Sequence, residues 1–222
     1  LGELSLDGTV NPVNGVLPIV CVAKEAGIKL CIIPKDNLKE GSIAQGIRLY
    51  GAESLKDVQD ILINNSLDGV SANNPSDDFN KKYEAKSDGV ISEGVILADS
   101  LNEEEDYLDI RGQYSAKRAT LIAAAGMHNI MYVGPPGSGK TMLAKRIPTI
   151  LPDMTDEEKL KVTKIYSVAG KLDAEKGLIT RRPFRSPHHT ITAAAMLGGG
   201  RIPRPGEITL SGSGVLFLDE MT

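Results

Sequence analysis

One run of eight residues, GPPGSGKT at 134–141, restricts what this chain can fold into more than any other feature. It follows a short apolar run, NIMYV, and precedes KTMLAKRIPTIL, whose apolar spacing predicts a helix. Strand, glycine-rich turn, helix is the context in which the G-x-x-x-x-G-K-[ST] spacing has a physical meaning. Glycines 134, 137 and 139 let the backbone turn tightly, so that successive N–H groups point inward at phosphate oxygens. Side chains at those positions would obstruct the approach. Lys140 is then placed to neutralise the β- and γ-phosphates and the Thr141 hydroxyl to ligate Mg2+.

A second apolar run, VLFLD at 215–219, predicts a buried strand that delivers Asp219, followed at once by Glu220. A carboxylate at such a strand tip can hold the magnesium shell, and its neighbour can polarise a water for attack on the γ-phosphate. An apolar run ending in two acids is weak evidence alone. Paired with the phosphate loop it becomes strong. The candidate catalytic residues are Glu220 and Lys140, and the candidate metal ligands are Thr141 and Asp219.

The rest of the chain divides by charge. Residues 1–66 carry 6 basic and 8 acidic groups, residues 67–109 carry 3 and 12, and residues 110–222 carry 16 and 9. The net charge of −4 supplies no global positive field for nucleic acid, but the last region is locally basic. In residues 1–66 a strand with an Asp-Gly turn (ELSLDGTV), a helix closed by Gly27, a buried strand (IKLCIIP), a second strand (IRLYGA) and a helix capped by Ser54 are predicted. Residues 67–108, rich in Asn, Ser and acids, read as a solvated linker. Beyond it, SAKRATLIAAAG predicts a helix, TDEEKLKVTKIYSVAG a helix with Thr155 and Glu158 as capping box, and RPFRSP a short strand.

Cys21 and Cys31 lack the spacing of a metal or disulfide framework and read as small buried hydrophobes. No signal segment opens the chain and no apolar run reaches the length of a membrane span, which predicts a cytoplasmic location. Residues 181–210 hold Arg181, Arg182, Arg185, Arg201 and Arg204, read as loops that meet a polyanion or a neighbouring subunit. His188 and His189 lack a third ligand at useful spacing, so hydrogen-bonding or interface roles are expected of them.

The runs DIRGQYSAKRATLIAAAGMHNIMYVGPPGSGKTMLAKRIPTILP, SVAGKL, RRPFRSPHHTITAAAMLGGGRIPRPGEITL and GVLFLDE, taken in order, resemble the ComM/YifB group of magnesium-chelatase-related AAA+ ATPases over residues 109–222. Residues 1–66 resemble the C-terminal half of that group's N-terminal domain, which is similar to the Lon protease domain and the ribosomal S5 fold. The fold expected is therefore α/β: a partial S5-like unit (1–66), an acidic linker (67–108) and the first part of a P-loop AAA+ module (109–222).

The resemblance implies ATP and Mg2+ as cofactors, DNA and a homo-oligomeric (hexameric) ring as partners of the full-length protein, no membrane, and branch migration in natural transformation as the activity. It carries the nucleotide site over onto Gly134, Pro135, Pro136, Gly137, Ser138, Gly139, Lys140, Thr141 and Met142, and adds Ile110 and Gln113 near the adenine. It also implies that a strand following Glu220 lies between NIMYV and VLFLD, so that the chain is a fragment in which those two runs lack their common partner. A protease role is opposed, because the resemblance sets Leu17 where the Lon lysine belongs. A chelatase I-subunit acting on a porphyrin, or a non-catalytic nucleotide-binding fragment, stay open as alternatives.

Overall fold

The computed structural model describes residues 1–66, 106–172 and 177–219. Two compact units emerge, and the first is discontinuous in sequence, its described residues being 1–66, 166–172 and 177–178. The second holds 106–165 and 179–219.

In the first unit, β1 (Glu3–Leu4) and β2 (Val10–Asn11) form an antiparallel hairpin. Its turn is closed by Asp7, whose Oδ1 accepts the Thr9 N–H at 3.0 Å, and by Gly8 at φ +88°. Helix α1 (Val16–Glu25) buries Val16, Leu17 and Val20 and ends before Gly27, whose φ of +79° needs no Cβ. The strands β3 (Leu30–Pro34) and β4 (Arg48–Ala52) pair in parallel, from Leu30 opposite Arg48 to Pro34 opposite Ala52. Parallel pairing demands a crossover, here one turn of tight helix (Lys35–Asn37) and the short α2 (Leu38–Ser42). The crossover packs closely: a Cβ on Gly41 would lie 2.7 Å from Ile33 Cδ1, and one on Gly51 2.4 Å from Leu38 Cδ1. Helix α3 (Leu55–Ser66) closes the unit by seating Ile61 on Tyr50 and Ala52. Ser54 caps it as the sequence predicts, its hydroxyl accepting the Asp57 N–H at 3.2 Å while Asp57 accepts the Ser54 N–H at 2.9 Å. Cys21 is buried, Cys31 half-buried, and both are free thiols.

A buried carboxylate organises this unit. Glu40 accepts the Leu17 N–H at 2.9 Å in the first turn of α1, the Ser167 hydroxyl, and the Asn37 amide at 3.0 Å. Asn37 in turn brackets Val13, accepting its N–H at 3.0 Å and donating to its carbonyl at 3.1 Å. Nothing in the sequence periodicity marks Glu40, because two of its three partners lie 23 and 127 residues away.

The second unit opens with a helical turn at Tyr107–Asp109, followed by α4 (Tyr114–Ala125) and α5 (Lys140–Lys145), with a further tight turn at Ile147–Ile150. The predicted KTMLAKRIPTIL helix is thus broken before Pro148, whose ring cannot continue a helix interior. Helix α6 (Asp156–Val168) starts on the predicted box: Thr155 Oγ1 accepts the Glu158 N–H at 3.2 Å and Glu158 accepts the Thr155 N–H at 2.9 Å. Its last turn counts with the first unit. Then follow β5 (Phe184–Arg185), α7 (Ala193–Leu197), an antiparallel hairpin of β6 (Gly198–Gly199) and β7 (Arg204–Pro205), α8 (Glu207–Leu210) and β8 (Val215–Leu216).

One predicted strand is corrected. Residues 129–133 form no ladder, although the side chains alternate, Ile130 and Tyr132 half-buried and Met131 and Val133 more than 80% exposed. The alternation of burial is present; among the described residues a neighbouring strand is not. Within VLFLD the pair Val215–Leu216 forms β8, parallel to β5 with Phe184 opposite Val215, but the predicted burial is corrected: these side chains are half-buried and Leu218 is exposed. The ladder extends through the Phe217 N–H, which donates to the Arg185 carbonyl at 2.8 Å. Gly214 permits this by closing on Pro183, where a Cβ would sit 2.0 Å from the carbonyl oxygen.

Candidate nucleotide-binding site

The loop at 134–141 is exposed from Gly134 to Gly137 and half-buried from Ser138 to Lys140, and two of its three glycines take left-handed backbone. Gly137 and Gly139 sit at φ +75° and +86°, and a Cβ on either would meet no atom within 4 Å, so open space lies on that side of the loop. Gly134 is different, since a Cβ there would come within 3.1 Å of the Ser138 hydroxyl. Lys140 reaches back across the loop, its Nζ donating to the carbonyls of Gly134 at 2.9 Å and Pro135 at 3.0 Å. The ammonium is therefore held at the loop's mouth by two neutral acceptors, which an anion can outbid. Thr141 and Met142 are exposed on the first turn of α5, whose Leu143 N–H returns to the Gly139 carbonyl at 2.9 Å.

Two of the predicted residues are brought to this loop by different means. Gln113 takes φ +51° at the start of α4 and its side-chain amide donates to the Ser138 carbonyl at 3.2 Å. Ile110 is buried, packed with Tyr107 and Leu143 beneath α5. Gly112 at φ +68° and Gln113 together turn the chain sharply between these anchors. The sequence reading missed what fixes the segment: Asp106 and Asp109 form a reciprocal capping box, Lys117 donates to the Ile110 carbonyl at 2.8 Å, and Arg146 donates to the Asp106 carbonyl at 3.0 Å. The spacing D-x-x-D was the available signal. Tyr132 joins the same cluster and shares a 2.7 Å hydrogen bond with Thr120, and burial holds its phenol above the usual range.

Asp219 is exposed just past the β5–β8 pair. Glu220 lies outside the described residues, as does the linker up to residue 105. Tyr107, assigned to the linker on composition, is buried in the cluster under α5.

The five arginines do not act as one set. Arg182, with its side chain 7% exposed, places two nitrogens on the Glu158 carboxylate at 3.2 Å and donates to the carbonyls of Pro152 and Ser213 at 2.6 Å each. Arg185 is bidentate on Glu207 at 2.6 and 2.9 Å. Both are bound inside the fold, which corrects their reading as polyanion contacts. Arg181, Arg201 and Arg204 are exposed. His188 and His189 are exposed with ring centroids 4.1 Å apart, and His188 Nδ1 pairs with the Thr190 hydroxyl at 2.8 Å. No cluster of three metal-binding side chains occurs among the described residues, and no helix among them is long and apolar enough to cross a membrane.

The family described as "Magnesium chelatase, subunit ChlI" matches residues 106–222, and one described as "Subunit ChlI of Mg-chelatase" matches residues 1–37. The chain belongs to the magnesium-chelatase-related ComM/YifB group. Within the group, it is 39% identical over 222 residues to the competence protein ComM of Haemophilus influenzae, covering 100% of this chain and 40% of that protein. It is 37% identical over 221 residues to YifB of Escherichia coli, covering 100% and 39%. An uncharacterized protein of Mycobacterium tuberculosis is 42% identical over 222 residues, covering 99% and 40%. The chain thus spans about two fifths of the length of these relatives.

Proposed function

We propose that residues 134–141 bind ATP with Mg2+, and that the protein to which this chain belongs is a ring-forming AAA+ ATPase acting on DNA in the manner of a branch-migration helicase. The observation that carries the reading is the loop itself: two left-handed glycines facing open space and a lysine whose hydrogen-bond partners among the described residues are the carbonyls of Gly134 and Pro135. The residues present fit a triphosphate. Gly137, Ser138 and Gly139 would hold its phosphates by backbone N–H groups, Lys140 would leave its two carbonyls for the β- and γ-phosphates, and Thr141 with Asp219 would hold the magnesium. Bound ATP supplies a phosphoanhydride whose hydrolysis drives movement. Gln113 tethers the loop at Ser138, and Glu220 is the base proposed to orient the attacking water. Membership of the ComM/YifB group supports the DNA reading, and the competence protein in that group bears a name that fits it. Residues 1–66 we read as a partial S5-like unit, and the compartment as cytoplasm.

The test is calorimetry with the Lys140→Ala variant of the full-length protein. That variant keeps the backbone cradle and loses the cation, so ATP–Mg2+ affinity is expected to fall about tenfold or more. Unchanged affinity would overturn the site.

A further inference from the structure

From residue 177 to residue 206 the chain contains no acidic residue, yet it carries five arginines. Two of these, Arg182 and Arg185, are neutralised from outside the stretch by Glu158 and Glu207. The positive charge left over is concentrated on one element. The β6–β7 hairpin pairs Gly198 with Pro205 and Gly199 with Arg204, and carries Arg201, Ile202 and Pro203 in its exposed tip. The guanidinium groups of Arg201 and Arg204 have no hydrogen bond or ion pair among the described residues.

The hairpin is built to hold its tip away from its base. At the base, a Cβ on Gly206 would lie 2.3 Å from the Gly198 nitrogen and 2.4 Å from the Met196 carbonyl oxygen, so backbone packs directly on backbone. Next to it, the Arg185–Glu207 pair ties the first residue of α8 to β5. On the other side, Thr192 caps α7, which runs straight into β6. Three glycines in succession, Gly198, Gly199 and Gly200, take φ of +88°, +113° and +101°, a course that residues with side chains rarely follow. The result is a short fixed arm ending in two unpaired guanidinium groups around an apolar pair, Ile202 being 68% exposed.

We propose that this hairpin is the surface by which the protein holds the sugar-phosphate backbone of DNA, with Arg201 and Arg204 as the phosphate ligands; the proposal rests on the DNA-acting reading above. Phosphate contacts of this kind are sequence-independent and carry most of the salt dependence of binding. The tip contains no aromatic residue, so base stacking is not the device. Ile202 and Pro203, held between the two cations, have the apolar, wedge-like character of side chains that enter between base steps and unstack them.

The experiment is fluorescence anisotropy of the full-length protein on labelled branched and linear DNA over a range of salt, alongside basal ATPase, thermal unfolding and sedimentation. Arg201→Ala/Arg204→Ala is expected to weaken DNA binding about tenfold and to lower the slope of log affinity against log salt by about 2, with unfolding and basal ATPase unchanged. Arg201→Lys/Arg204→Lys should keep most of the binding, since a point charge still meets a phosphate. Lys39→Ala/Lys56→Ala, removing two exposed cations elsewhere, should leave the slope unaltered. If wild type binds and the arginine variant binds equally with the same slope, the hairpin assignment is overturned and the DNA reading stands. If wild type binds no DNA, both fail. If the arginine variant, or Ile202→Ser, changes the sedimenting species but not DNA binding, the hairpin docks on a second copy of the chain and the proposal is wrong.

Discussion

Two apolar runs of similar length, IKLCIIP in the first unit and NIMYV in the second, meet different fates. The first becomes β3, paired along all five residues with β4, and Ile33 is fully buried. The second keeps a strand's alternation and buries half of Tyr132, but forms no ladder. Alternation reports which side chains face apolar surroundings. Whether backbone donors and acceptors are satisfied by a neighbouring strand is a separate matter, decided by chain far away in sequence. In the first unit that neighbour is supplied by a crossover of thirteen residues, 35–47. Next to the phosphate loop the described residues contain none.

The sharpest way to break this comparison is amide hydrogen exchange on the purified chain. Ladder amides within Leu30–Pro34 and Arg48–Ala52 should exchange at least about 10³-fold more slowly than those of 129–133, because the first open only with their unit and the second face water directly. Equal protection in the two runs would mean that 129–133 has found a strand partner.

Substitution gives a smaller contrast. Ile61 is fully buried against Tyr50 and Ala52, so Ile61→Ala should destabilise the first unit by about 2–5 kcal/mol. Val133→Ala removes a side chain that already faces solvent and should cost no more than about 0.5 kcal/mol. Urea unfolding of both variants checks the pair, and a Val133 effect as large as that of Ile61 would show the second run to be packed.

What could be read ahead from the sequence follows the same division. Caps and turns are local, so Ser54, Thr155 with Glu158, Gly27 and the Asp7–Gly8 turn were all legible, and so were the left-handed turns at Gly137 and Gly139. The hairpin at 198–205 and the break at Pro148 are also local, but glycine and proline runs specify turns without saying which one. Glu40 was invisible because its partners are Leu17, Asn37 and Ser167. The arginines failed for a similar reason: a guanidinium looks identical in sequence whether it is bound to Glu158 or exposed at a hairpin tip. Composition counts charges, and only the fold pairs them.

The smallest effect tests that last point. Glu158 is held below its ordinary value of 4.5, first by the Thr155 N–H and then by Arg182. A carboxylate depressed in the folded state contributes stability that is complete above its unfolded value and is lost as pH falls through the folded one. The urea midpoint of the second unit should therefore drop as the solution is taken from about pH 6 to about pH 3, and Glu158→Gln should flatten that part of the profile. Arg182→Gln should flatten it only in part, because the Thr155 N–H, the stronger of the two causes, is still in place. At neutral pH the same variant should also lower stability, since the carbonyls of Pro152 and Ser213 lose their donor. Arg201→Ala should move neither quantity. Were Arg182 and Arg201 to behave alike in this titration, the division of the arginines into a bound pair and an exposed three, on which the hairpin proposal depends, would fall with it.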